Sequence, residues 1–257
     1  MLKKIKISIL VIFLALVTSA IVKNVFFDTP DNCLKKIKSR TSKNDIEADH
    51  FKTNRTFIYK MYFWSIIPMG ELRYSTQAGA TGIVFSFEAL TKKSFIENFI
   101  NAQARVESHF SKKDFLPYKY AEKTVVNGKI KQKDVLYDRD KLLSVQGDKK
   151  IKITRDTYDP VGAFVHILTL PLELNKDYSI PFLSGYDMYL LKARLLKKGR
   201  RIDEIDIDMR RQNLTSSHGG HFRVWVTADN SKIPLLFKSW TPVGFATVVL
   251  ESVDNVK

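Results

Sequence analysis

The sequence contains a single cysteine, Cys33, in 257 residues. No internal disulfide can form, so the fold depends on its core alone. The small and apolar residues that lead into a lipid-modified cysteine are also missing, because Thr29-Pro30-Asp31-Asn32 precede Cys33. Cys33 therefore reads as a free thiol in a linker. Catalytic signatures are equally scarce: there is no G-x-S-x-G elbow, P-loop, G-x-G-x-x-G, H-E-x-x-H or C-x-x-C. Their absence removes the usual sequence evidence for a serine hydrolase, a nucleotide site or a zinc centre. Arginine is thin relative to lysine, with 12 Arg and 30 Lys against 27 acidic residues, for a net charge of +15. Sequence-specific nucleic-acid readout favours the planar arginine fork, so nucleic acid is not an expected partner. Lysines spread along the chain give a solvated surface whose field also attracts anionic membrane surfaces.

Long apolar runs are confined to the N-terminus. Lys3, Lys4 and Lys6 precede the uncharged stretch Ile7 to Val22, and Thr18 and Ala20 offer a small-x-small cleavage pattern. The stretch has 16 residues, slightly below the roughly 17–25 of a spanning helix. Residues 1–22 are thus expected to be an export signal or, in second place, an inner-membrane anchor, which puts the protein in the periplasm or envelope. Residues 23–54, with Pro30, Ser39, Ser42 and Asn44, read as a linker.

From about Arg55 to residue 253 the dominant signal is alternation of period two, the mark of half-buried strands. Phe57, Tyr59, Met61 and Phe63 share one face, as do Ile83, Phe85, Phe87 and Ala89, and then Ala104, Val106, Ser108 and Phe110. Asn127-Gly128, Gly147-Asp148, Ser184-Gly185, Lys198-Gly199 and Asp229-Asn230 punctuate the runs as turns. The expectation is one mainly β domain, an antiparallel, strongly curved sheet or half-open barrel. Matching charges and apolar residues across Gly199 predicts a hairpin with Ala193 opposite Ile205, Leu191 opposite Ile207 and Tyr189 opposite Met209. Arg194 then meets Glu204 and Lys192 meets Asp206. That register makes Glu204, Asp206 and Asp208 a solvated face rather than a calcium site. One short helix is expected in "DPVGAFVHILTLP": Asp159 caps it, Pro160 fits the first position, and Val161, Phe164, Val165 and Leu168 form its apolar stripe. His166 lies off that stripe and reads as a rim residue.

Two stretches follow one scheme. In "MYFWSIIPMGELRY" Trp64 precedes Pro68-Met69-Gly70, and in "SWTPVGFATVV" Trp240 precedes Pro242-Val243-Gly244. Proline cannot donate to a ladder and glycine permits a sharp bend, so Pro68, Gly70, Pro242 and Gly244 are expected at strand corners, the glycines with positive φ. Trp64, Met69, Trp240, Phe245 and Phe164 are candidate liners of an apolar mouth, with core packing as the alternative. Arg105 and Glu107 share a strand face and are candidates for a polar patch. His218 and His221 in "HGGH" are the best metal candidates, but they lack a third ligand, so neither a metal nor a cofactor is expected.

The succession "YFWSIIPMGEL", "ARVESHF", "FLPYKY", "VLYDRD", "YDPVGAFVHILTLPL", "FRVWVTADNSKIPLLF" and "PVGFATVVLES" resembles the exported bacterial proteins of the domain of unknown function 3108 family. It covers roughly residues 55–253. The threonine-proline-alanine-glycine turn usual late in that family is absent from "KKGRRIDEIDID". The resemblance implies an envelope location and a β-rich domain like the curved half-barrels that carry lipids or lipoproteins. It implies no established activity, and no catalytic residue is carried over. Three readings stand in order: a non-enzymatic envelope protein binding a lipid-like or hydrophobic molecule, an assembly module binding another envelope protein, and a hydrolase built on His218 and His221 or on Arg105 and Glu107.

Overall fold

A computed structural model describes residues 29–40, 53–65, 67–91, 102–212, 220–241 and 244–255. The expected leader at residues 1–22, His218 and Pro242 lie outside the described residues. Chain order runs from helix α1 (Pro30–Arg40) to strands β1 (Arg55–Phe63), β2 (Ile67–Ala78), β3 (Gly82–Thr91), β4 (Ala102–Ser111), β5 (Pro117–Val126), β6 (Lys129–Asp138), β7 (Leu143–Gln146) and β8 (Lys149–Lys152). Helix α2 (Pro160–Thr169) follows, then β9 (Asp177–Ser184), β10 (Asp187–Lys197), β11 (Ile202–Arg211), β12 (His221–Thr227), β13 (Pro234–Thr241) and β14 (Gly244–Asn255).

Among the described residues fourteen strands form one antiparallel sheet, in the order β8 to β1, then β14 down to β9. The expected curvature is visible in what α2 touches. This ten-residue helix packs on β4, β9 and β10, and its Phe164 ring lies 6.3 Å from Phe222 of β12 and 5.7 Å from Phe237 of β13. β4 and β9 are far apart in strand order, so the sheet must wrap around the helix to bring both against it. Lys149 at the β7–β8 turn sits 4.1 Å over the ring of Tyr186 at the β9–β10 turn, which brings the two ends of the sheet together. β8 and β9 do not pair, so the barrel stays open along one seam. Tyr158 lies against that seam: its N–H donates to the Pro181 carbonyl at 2.9 Å, and its carbonyl accepts from the Leu183 N–H at 2.9 Å.

Helix α2 begins where its sequence says it should. The Asp159 carboxylate accepts the Gly162 N–H at 2.7 Å, and Pro160 occupies the first helical position. Val161, Val165 and Leu168 are buried and Phe164 is half-buried, while Ala163 and Ile167 are buried as well. The helix is therefore covered on more than one stripe. His166 is partly buried and stacks on Tyr158 at 4.7 Å.

Three expectations need correction. Residues 30–40, read as part of a linker, form helix α1, which packs on β13 and β14 and buries Cys33 and Leu34. The β10–β11 hairpin keeps the expected faces but is shifted by two residues: Ala193 faces Ile207, Leu191 faces Met209, Arg194 faces Asp206 and Lys192 faces Asp208. A bulge between Leu195 and Lys197 shifts the register by one further residue near the turn. A two-residue shift preserves parity, so side-chain matching alone does not detect it. The third correction concerns the first corner. The chain turns at Trp64 and Ser65, with φ of 51° and 58°, and Pro68 and Gly70 lie inside β2 beside a bulge. Among the described residues β3 ends at Thr91, opposite Gly70, and no β3 residue pairs with Pro68, which suits a residue that cannot donate to a ladder. Gly70 does not have positive φ. It is required by close approach, since a Cβ would stand 2.1 Å from the Leu90 carbonyl oxygen. Gly244 does have the expected unusual backbone, with φ of 143°.

Candidate functional site

The inner face of the sheet changes character along its strands. Alternation places Phe57, Tyr59 and Met61 of β1 on that face; the first two are buried and Met61 is half-buried. Tyr74 and Leu72 on β2, Phe85 and Phe87 on β3, and Phe110 and Val106 on β4 repeat the change from buried to half-buried. The other half of the sheet does the same with Ile207 and Met209, Val224 and Phe222, and Leu250 and Val248. Strands run alternately up and down, so these half-buried residues all lie towards one end, where the β1–β2, β3–β4, β5–β6, β7–β8, β9–β10, β11–β12 and β13–β14 connections fall. The inside of the curled sheet is filled at one end and reached by solvent at the other. Phe164, set between Phe222 and Phe237, projects from α2 into this apolar lining.

The filled end is packed by aromatic rings. Phe57 stacks on Tyr74 at 5.3 Å, Phe85 meets Phe110 edge-on at 5.1 Å, and Phe110 meets Phe115 at 5.0 Å. Beneath α2 the fully buried Ser108 hydroxyl donates to the Asp159 carboxylate at 2.5 Å. Burial pushes the Asp159 carboxyl up to about 6, opposed by its hydrogen bonds from Ser108 and Gly162. Arg139 donates to the carbonyls of Pro117 at 2.6 Å and Thr157 at 2.8 Å, fastening the segment before α2 to the start of β5. Neither Ser108 nor Asp159 is exposed, so the pair anchors the helix to β4 and is closed to any substrate. Ser108 was legible only indirectly, as a polar residue on an otherwise apolar strand face that needed a buried partner.

The residues singled out from sequence fall into three places. Trp64, Gly244 and Phe245 come together: the Trp64 N–H donates to the Phe245 carbonyl at 2.8 Å, and a Cβ on Gly244 would stand 1.9 Å from the Trp64 ring nitrogen. Ser65 and Thr247 hydroxyls, 2.8 Å apart, secure the same turn. The two similar stretches thus pack against each other at the open end, and Met69 is half-buried in the adjoining bulge. Trp240 faces outwards, opposite Phe245 across the β13–β14 ladder, 5.4 Å from His221 and 5.5 Å from Arg223. It sits on the rim and does not line the interior. Arg105 and Glu107 also lie on the outer face, ion-paired at 2.6 Å in a polar depression with Arg73 and Glu88. Among the sequence candidates Phe164 alone lies inside the apolar lining.

His221 pairs with Asp206 at 2.8 Å, and Asp206 and Glu204 each lie 3.3 Å from Arg223. Among the described residues no three His, Cys, Asp or Glu side chains converge as metal ligands. The mouth residues Leu72, Val106, Phe222 and Phe237 were not singled out from sequence. Their alternation marks an inner face without telling which end of it is open.

A search of curated proteins found no match. Among solved structures, a β-barrel-like protein of the DUF1849 family from Brucella abortus superposes with a TM-score of 0.57 at 11% identity, covering 80% of this chain and 99% of that one. That likeness supports the barrel-like fold. A Bacteroides fragilis protein described as exported, with a YmcC-like fold, gives a TM-score of 0.30 at 8% identity over 81% of this chain and all 100% of its own. A Parabacteroides distasonis protein described as a lipoprotein gives 0.27 at 9% over 79% and 96%. The family model for the protein of unknown function DUF3108 matches residues 58–251, and the chain belongs to that family.

Proposed function

We propose that this protein is a non-enzymatic envelope protein that holds a hydrophobic, lipid-like molecule in the open end of its curled sheet. The observation that carries the reading is the half-buried inner lining of Leu72, Phe87, Val106, Phe222 and Phe237 around Phe164. Apolar side chains that solvent reaches inside a concave sheet are an unfinished core, and a hydrophobic ligand completes it. The location rests on the basic and apolar N-terminal sequence. Strand addition by an envelope partner is disfavoured at both seam strands. β8 carries Lys149, Lys150 and Lys152 on four residues, and Tyr158 occupies the backbone groups of β9 at Pro181 and Leu183.

Native mass spectrometry of the purified protein tests the proposal. A co-purifying amphiphile is expected, lost in Val106→Asp with melting close to wild type and kept in Trp240→Ala. Absence of any bound amphiphile in the wild type, or equal retention in Val106→Asp, would overturn it.

A further inference from the structure

We infer that the rim of the open end is a docking surface for an anionic phospholipid bilayer. The inference rests on the reading of that end as a ligand entrance and adds the partner that the entrance faces. Large exposed apolar side chains stand at four of its connections: Trp64 at β1–β2, Val126 and Ile130 at β5–β6, Tyr186 at β9–β10 and Trp240 at β13–β14. Trp64 is 46% exposed, Ile130 64% and Tyr186 50%. The β5–β6 tip is the clearest case. Val125 faces Ile130 and Val126 faces Lys129 across the Asn127-Gly128 turn, and among the described residues no strand pairs with the far side of β6 above Leu136. An apolar pair is therefore presented at the end of a two-stranded ribbon.

Charge complementarity identifies the partner. Lys129 and Lys131 are exposed beside that tip, and Lys149 and Lys150 are exposed at the neighbouring β7–β8 turn. No ion pair within 4.0 Å joins any of these four lysines to a carboxylate among the described residues. Some cations elsewhere on the outer face are neutralised, as in Arg194 with Asp177 at 2.5 Å and Arg210 with Asp208 at 2.5 Å. Tryptophan and tyrosine rings and lysines without carboxylate partners, Lys149 lying over the Tyr186 ring, surround a short apolar tip and match the layered chemistry of a bilayer surface. The rings suit the interface, the tip suits the acyl boundary, and the ammonium groups suit anionic headgroups. A bilayer bound there would cover the mouth, so a hydrophobic molecule could pass between lipid and protein without crossing water.

The test is co-sedimentation of the full chain with vesicles of phosphatidylcholine containing phosphatidylglycerol, set against phosphatidylcholine alone. Wild type and variants share residues 1–28, so differences between them isolate the rim. Lys129→Glu/Lys131→Glu is expected to weaken partition to the anionic vesicles by roughly fivefold or more per lysine, and Ile130→Asn by several-fold, with unchanged melting. Added salt should erase the lysine effect. Equal partition of wild type and both variants would overturn the docking surface, and if native mass spectrometry still found a bound amphiphile the entrance reading would stand without it. Charge-dependent partition in a protein carrying no amphiphile would support the surface while removing the entrance.

Discussion

Phe85 and Phe87 stand two residues apart on one face of β3, yet the first is fully buried and the second only half-buried. The same contrast separates the two ends of the whole sheet. At one end the inner face meets helix α2, the Ser108–Asp159 hydrogen bond and a run of packed rings. At the other, among the described residues, it meets Phe164 and is partly reached by solvent. A sheet built from one repeating pattern has thus been completed over half its height, and the incomplete half is where we propose that a hydrophobic molecule fits.

Substitutions that respect this boundary should sort by it. Phe85→Ala is expected to cost about 3–5 kcal/mol, as for a fully buried aromatic, whereas Phe87→Ala should cost less, about 1–2 kcal/mol, because part of its area is already in water. Urea unfolding of both variants decides, and equal costs would erase the distinction between the ends.

Asp159 gives the filled end a pH signature. Its folded value of about 6 lies above the ordinary 3.8, so the folded state holds the proton more tightly. Its contribution is complete below the unfolded value and is lost as pH rises through the folded one. Stability should fall by up to about 3 kcal/mol from this group between roughly pH 4 and pH 6. Asp159→Asn should remove that slope, which unfolding at pH 4 and pH 7 would measure. Next in size is Gly70→Val, expected to cost about 1–3 kcal/mol through the clash with the Leu90 carbonyl. The smallest effect belongs to Trp240→Ala on the outer rim, within about 0.5 kcal/mol in thermal unfolding if its ring carries no core load.

The alternation of Phe57, Tyr59 and Met61, the turn at Asn127-Gly128 and the cap at Asp159 made the sheet and its helix legible in the sequence. Helix α1 was hidden because "PDNCLKKIKSR" carries few apolar residues, Cys33, Leu34 and Ile37, too short a stripe to stand out from a polar linker. Hairpin register was legible to the face and not to the residue, because a shift of two leaves Leu191, Lys192, Ala193 and Arg194 opposite partners of the same kind and costs a match only at Tyr189, which faces Arg211. The mouth was least legible. Period two reports which side of a sheet a residue faces, while its height relative to α2 depends on how the sheet curls. Trp240 shows the cost of reading by residue type alone: a large aromatic beside a turn was grouped with the lining, and the ladder sends it outwards.

The most direct measurement is photocrosslinking with a diazirine fatty acid, mapped by peptide sequencing. The account predicts adducts on the inner lining, at Leu72, Phe87, Val106, Phe222 or Phe237, that excess unlabelled fatty acid displaces. Adducts confined to the outer face around Trp240 and His221, or labelling that no competitor displaces, would contradict it.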